Sequence, residues 1–134
     1  TQGELTVWVR EGVVEWRPHT KNIDAELAAA HIIVLPSYRE GFPKTLVDAA
    51  AAGRAAITSD VPGCRHAIIA EKTGLLFKVR DAAAIAAAAE TLIADPKRVQ
   101  QMGHAARQLA KQRYDIEKIV TAHMEIYARQ AAPT

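Results

Sequence analysis

Three short apolar runs, at 31–36 ("HIIVLP"), 55–59 ("AAITS") and 74–79 ("GLLFKV"), are separated by stretches of helical character. This alternation narrows the fold more than any other feature. The run at 31–36 is almost wholly apolar and of strand length, the mark of a strand covered on both faces in a parallel sheet. Parallel neighbours need a crossover connection, which helices of about ten residues supply. The pattern predicts an α/β domain, a parallel sheet with flanking helices.

Start and stop signals place the remaining elements. "GVVEWRP" (12–18) is β-rich and closed by Pro18, so a strand is expected at 13–17. "NIDAELAAAH" (22–31) opens with Asn22 as N-cap and sets Ile23, Leu27 and Ala30 on one helical stripe. A helix over 43–52 has Pro43 in its first turn and Gly53 at its C-terminal stop. "VPGCRHAII" (61–69) holds a turn and a short helix. Asp81 should cap a helix over 82–94, and Asp95-Pro96 should start another that reaches about Arg113. Asp115 begins a last helix, to about Gln130. There is no linker, low-complexity tract or internal repeat, and 134 residues make one domain.

Charge and cysteine content exclude several classes. Seventeen basic against fifteen acidic residues leave a net charge of +2, too balanced to point to nucleic acid. One cysteine, Cys64, excludes an internal disulfide and fits a reducing compartment. It reads as a small buried filler rather than a nucleophile, since no His or Asp spacing supports one. The five histidines show no metal-ligand spacing, so neither a metal nor a cofactor is expected. No stretch reaches the length of an apolar membrane span, and a basic-then-apolar leader is absent. The expected location is cytoplasmic.

Function is concentrated in "LPSYREGFPKTLVDAAAAG" (35–53). On the frame above, residues 37–42 form the loop at the carboxyl end of a strand, and 43–52 the helix behind it. In open α/β sheets that position is the ligand crevice. The helix N-terminus offers unpaired N–H groups and partial positive charge to an anion such as a diphosphate. Pro43 has no N–H, so Lys44 and Thr45 are the donors. Asp48 follows Lys44 by one helical turn on the same face, whereas Leu46, Ala50 and Gly53 lie on another stripe and should face the sheet. Two carboxylates, Glu40 and Asp48, astride an anion site suit a ligand with both phosphates and hydroxyls, such as a nucleotide sugar. The same residues admit a plainer account, with Glu40 a solvated loop acid and Asp48 an ion-pair partner of Lys44.

The ordered set "VLPSYREGFPKTLVDAAAAGRAAITSDVPGCRHAI", "TGLLFKVRD" and "LIADP…MG…AR" resembles the C-terminal domain of family 4 (group 1) retaining glycosyltransferases, which have the GT-B fold, across nearly the whole chain. The resemblance implies a Rossmann-like, nucleotide-sugar-binding domain spanning 1–134 and incomplete at its N-terminal side. By position it implies that Glu40 contacts the donor sugar as the catalytic-site acid. The Gly41 and Phe42 N–H groups would hold sugar hydroxyls, and those of Lys44 and Thr45 the diphosphate. Asp48 stands where the family has a second Glu, which binds the ribose. Here the side chain is one methylene shorter, so the ribose shifts, a water bridges, or the nucleotide is held less well. Arg17 and Pro18 match the loop that approaches the base.

The family's phosphate-neutralising Arg and Lys, its acceptor site and its active-site His lie in segments that this sequence does not contain. The implied function is transfer of a hexosyl or N-acetylhexosaminyl unit from a nucleotide sugar, UDP-sugar favoured. The acceptor is a saccharide or lipid-linked saccharide in polysaccharide or glycolipid synthesis, met through an N-terminal domain. The isolated chain is expected to be inactive. The alternative is a non-catalytic nucleotide-sugar-binding module that kept the fold and lost turnover. A dinucleotide oxidoreductase is set aside, because no G-x-G-x-x-G follows a strand.

Other features carry expectations of their own. Trp8 and Trp16 should be core or interface residues. Residues 97–113 are basic and amphipathic, with Val99, Met102, Ala106 and Leu109 in a stripe. They read as a core-packed helix in preference to one lying on an anionic membrane surface. The family's strand order, 3-2-1-4-5-6, makes 13–17 strand three and 32–36 strand four, with strands one and two upstream. The edge of 32–36 is therefore expected to be covered by 13–17, by a second chain in a dimer, or by residues before Thr1.

Overall fold

The computed structural model describes residues 2–130. In chain order these form α1 (Gln2–Arg10), α2 (Ile23–Ala29), β1 (Ile32–Leu35), α3 (Lys44–Ala51), β2 (Ala55–Ser59), α4 (Pro62–Ala67), β3 (Gly74–Phe77), α5 (Ala82–Ile93), α6 (Pro96–Arg113) and α7 (Ile116–Gln130). The strands make a parallel sheet in the order β1-β2-β3, with Val34 opposite Ile57 and Ile57 opposite Leu75. The α/β expectation holds, and the helices from α2 to α7 fall where their caps put them. Asn22, Asp81 and Asp95 each accept a backbone N–H from the third residue on, at 3.3, 2.9 and 3.0 Å.

All five residues of β2 are buried. Side chains alternate across a strand, so Ala56 joins Leu46, Val61, Cys64, Ala67 and Ile68 on one face. Ala55 and Ile57 join Leu75, Phe77, Leu92 and Met102 on the other. The buried Thr58 hydroxyl donates to the Leu35 carbonyl at 3.0 Å, so its polarity is matched within the core. α6 buries Met102, Ala106, Leu109 and Ala110, and Ala106 and Ala110 meet Ala50 of α3. Its apolar stripe is therefore consumed by the core, as expected, while Lys97, Arg107, Lys111 and Arg113 remain exposed.

Two expectations fail at the N-terminal side. Residues 13–17 form no strand; they are exposed coil after a turn at Gly12, with Trp16 59% exposed. A strand persists only when a neighbour takes its hydrogen bonds, and no described strand lies beside this segment. It therefore does not cover β1, which is an edge strand rather than one buried on both faces: Val34 is 44% exposed. Trp8, on a helix where no element was expected, is also about half exposed, so neither tryptophan is in the described core.

One close approach fixes α6 against the α3–β2 turn. Gly53 takes φ +69°, and a Cβ at Gly103 would lie 2.2 Å from the Gly53 carbonyl oxygen. Gly103→Ala should therefore destabilise the fold by about 1–3 kcal/mol in urea unfolding despite the better helix propensity of alanine. A rise in the midpoint would show that the two backbones can separate at little cost.

Candidate functional site

The connection from β1 to α3 runs over the carboxyl end of the sheet. It turns at once, with Ser37 N–H bonded to the Leu35 carbonyl at 3.1 Å. The Ser37 hydroxyl then donates to Glu40 Oε1 at 2.6 Å, which fixes a half-buried carboxylate above the strand end. Pro43 is buried at the N-cap of α3 in an extended conformation and offers no side-chain cap, but its carbonyl accepts from Leu46 N–H at 3.0 Å. The N–H groups of Lys44 and Thr45, in the first turn, have no intrahelical acceptor, and both residues are exposed.

The structure brings Glu40, Gly41, Phe42, Lys44, Thr45 and Asp48 together on one connection. Lys44 Nζ lies 2.9 and 2.6 Å from the two Asp48 oxygens, the i,i+4 pair that the plainer account foresaw. Asp48 also borders a recess with Asp24, Ala28 and Arg107. Arg17 and Pro18 lie elsewhere, on the exposed coil before α2. Arg17 is held by Glu15 at 3.0 Å and by Glu26 of α2 at 3.0 and 3.2 Å, and makes no contact with the Glu40 loop.

Two residues of this site were missed by sequence reasoning. Gly63, near the start of α4, lies directly beneath the loop: a Cβ there would sit 2.4 Å from the carbonyl oxygens of both Glu40 and Gly41. The Pro-Gly pair signalled a turn, but nothing in the sequence said what the glycine supports. Tyr114, between α6 and α7, packs edge-on against Phe42 with ring centroids 5.6 Å apart. Its hydroxyl lies 3.2 Å from the Ala67 carbonyl, which it can reach as a donor. The loop is thus braced by backbone from below and by an aromatic ring from the side. At the entry to α4, Arg65 bonds Asp60 and holds that carboxyl below the usual carboxylate range. Among the described residues no group of His, Cys, Asp or Glu could hold a metal ion.

An open parallel sheet with an acid-bearing loop leading to a bare helix N-terminus is the arrangement of the C-terminal domain of GT-B glycosyltransferases. The model of the family "Glycosyl transferases group 1" matches residues 11–109, and the chain belongs to that family. It is 37% identical over 109 residues to a glycogen synthase of Mycobacterium tuberculosis, covering 81% of this chain and 26% of that protein. It is 33% identical over 122 residues to a Campylobacter jejuni N,N'-diacetylbacillosaminyl-diphospho-undecaprenol alpha-1,3-N-acetylgalactosaminyltransferase, covering 91% of this chain and 32% of that one. Among solved structures, a sucrose-phosphate synthase from Thermosynechococcus elongatus superposes with TM-score 0.90 at 27% identity, over 96% of this chain and 33% of its own. Anabaena HepE shares the fold, with TM-score 0.89 at 20% identity over 96% of this chain and 35% of its own. The chain thus spans about a quarter to a third of the relatives it matches.

Burial pushes the Tyr114 phenol above its ordinary value of 10.0, against a smaller opposing effect of Arg113. The native state therefore holds this proton more tightly than the unfolded chain. The resulting stability is intact below pH 10 and is lost as pH rises through the higher native value. Tyr114→Phe should flatten the alkaline decline in thermal stability, measured as Tm against pH between about 9 and 11.5. An unchanged slope would assign that decline to other groups.

Proposed function

We propose that the chain is the donor-binding half of a retaining, nucleotide-sugar-dependent glycosyltransferase, with Glu40 at the donor sugar. The observation that carries this reading is the half-buried Glu40 carboxylate, fixed by Ser37 one short loop before a helix that begins with free N–H groups. Transfer breaks the bond between the sugar's anomeric carbon and the diphosphate oxygen and forms one to an acceptor hydroxyl, whose proton passes to the departing diphosphate. Negative charge grows on the departing diphosphate. The Lys44 and Thr45 N–H groups, at the positive end of α3, are aimed where that charge develops.

Glu40 orients the sugar through its hydroxyls, aided by the Gly41 and Phe42 N–H groups. In the unliganded chain Lys44 neutralises Asp48; with a donor bound, Lys44 turns to phosphate and frees Asp48 for the ribose. Arg17 and Pro18, on their loop before α2, approach the base. UDP is the favoured nucleotide, since the related fold of HepE was crystallised with UDP and with UDP-glucose. The acceptor, a saccharide or lipid-linked saccharide in glycan synthesis, is met through a separate domain, and relatives that elongate glycogen or act on undecaprenol-linked sugars support that class. Further cations belong to a stretch of this same domain upstream of these residues, so the 134 residues alone should bind UDP only at millimolar concentration and transfer nothing. The assembled enzyme works in the cytoplasm, at the membrane's inner face when its acceptor is lipid-linked; no described helix is long and apolar enough to cross a membrane.

The short, lysine-paired Asp48 supports a second reading, a module that binds nucleotide sugars without turnover. The two part in a full-length protein carrying this domain. Glu40→Ala should lower kcat/KM for the intact donor at least about tenfold, the loss of one charged hydrogen bond, and leave nucleoside diphosphate affinity nearly unchanged. Asp48→Ala should weaken UDP by about 1–3 kcal/mol in calorimetry, and Asp48→Glu should be tolerated. Equal losses in both assays for Glu40→Ala would overturn its placement at the sugar. Unaltered UDP affinity in Asp48→Ala would mean that Asp48 serves only Lys44.

A further inference from the structure

Beside the Glu40 loop, on the α5 side of the sheet, the carboxyl ends of all three strands border a second cavity of about 390 Å³. Its lining includes Pro36, Tyr38, Ser59, Phe77, Arg80, Asp81 and Ile85. None of the roles proposed above uses these side chains.

Ser59 is 1% exposed, yet its hydroxyl makes no hydrogen bond to any described residue, although the neighbouring Thr58 hydroxyl is bonded. Buried hydroxyls are normally paired, and an unpaired one that borders a cavity is available to an occupant. Arg80 takes a left-handed backbone, φ 63°, which is unusual for a residue other than glycine. That turn sets its guanidinium over one face of the Tyr38 ring, 5.5 Å from the centroid, and it makes no ion pair among the described residues. The adjacent acid, Asp81, is committed to capping α5 through Ala84 N–H. Tyr38 itself is 71% exposed, a flat apolar face at the cavity mouth.

An exposed ring with a fork of N–H donors over one face, an apolar floor in Phe77 and Ile85, and one unbonded hydroxyl make up a set of contacts with a definite chemistry. Pyranose rings have one face of C–H bonds, which lies on an aromatic ring, and a rim of hydroxyls that both donate and accept. We infer that this cavity is a saccharide subsite, taking a pyranose unit stacked on Tyr38 with its hydroxyls bonded to Arg80 and Ser59. The inference rests on the glycosyl-transfer reading of the neighbouring loop for its biological sense. A sugar held there, two residues along the chain from Glu40, is a unit of the acceptor or of the growing glycan rather than the donor sugar. Tyr38 is then a specificity-determining residue for the acceptor side.

The test is a set of amide-resolved NMR titrations of the 134-residue chain with methyl α-glycosides of glucose, galactose, mannose and N-acetylglucosamine, with UDP and inorganic phosphate in separate arms. At least one glycoside should shift the Ser59, Phe77 and Arg80 amides. Tyr38→Ala should weaken that binding by about tenfold, and Tyr38→Phe should retain it. Tyr38 is exposed, so both variants should stay folded, Tyr38→Ala giving up only the exposed contact with Arg80. UDP should shift the Gly41 to Thr45 amides in all variants. The subsite is overturned if no glycoside reaches the cavity, if phosphate alone does, or if Tyr38→Ala leaves affinity unchanged. Glycoside binding with no UDP response at α3 would instead overturn the donor-site reading and leave the subsite standing.

Discussion

Everything in this domain is referenced to β2, a five-residue strand with no exposed position. Its two faces organise two separate apolar clusters, and its two edges carry the parallel ladders to β1 and β3. Because parallel strands all end on the same side, the loops that leave β1 and β2 and the one that follows β3 meet at one rim. Glu40, the support given by Gly63, and the cavity beneath Tyr38 and Arg80 all belong to that rim. The site is thus a consequence of strand direction before it is a consequence of any one side chain.

Rigidity comes from backbone contacts more than from charge. Gly63 lets α4 rise under the Glu40 loop, and Gly103 lets α6 settle onto the α3–β2 turn. The ion pairs are at the surface: Arg17 with Glu26, Lys44 with Asp48 and Arg98 with Glu71 all have at least one largely exposed partner, so each stabilises little and is easily exchanged. That suits the role proposed for Lys44, in which its ammonium leaves Asp48 for a phosphate.

Most of the scaffold was legible in the sequence because its signals are local. Asp81 and Asp95 announced their helices, and the apolar runs at 32–35 and 55–59 announced their strands. The loop and helix that carry the candidate site were legible for the same reason, being one continuous stretch from Ser37 to Asp48. What failed depended on partners at a distance. Residues 13–17 have the composition of a strand, but a strand is a relation between two segments, and this one has no neighbour among the described residues. The run at 32–35 likewise looked doubly buried by composition and lies at an edge. Gly63 and Tyr114 were overlooked because a glycine in a turn and a tyrosine at a helix end look ordinary until the fold brings them to residues 40–42.

Tyr114 also sets an order of events in synthesis. The Glu40 loop leaves the ribosome with its strand and its following helix, and its floor at Gly63 comes soon after. The ring that closes its flank against Phe42 emerges only when α6 has been made. Until then the loop lacks the brace on its Phe42 side. The loop reaches its final geometry only once the far end of the domain has been threaded out and docked.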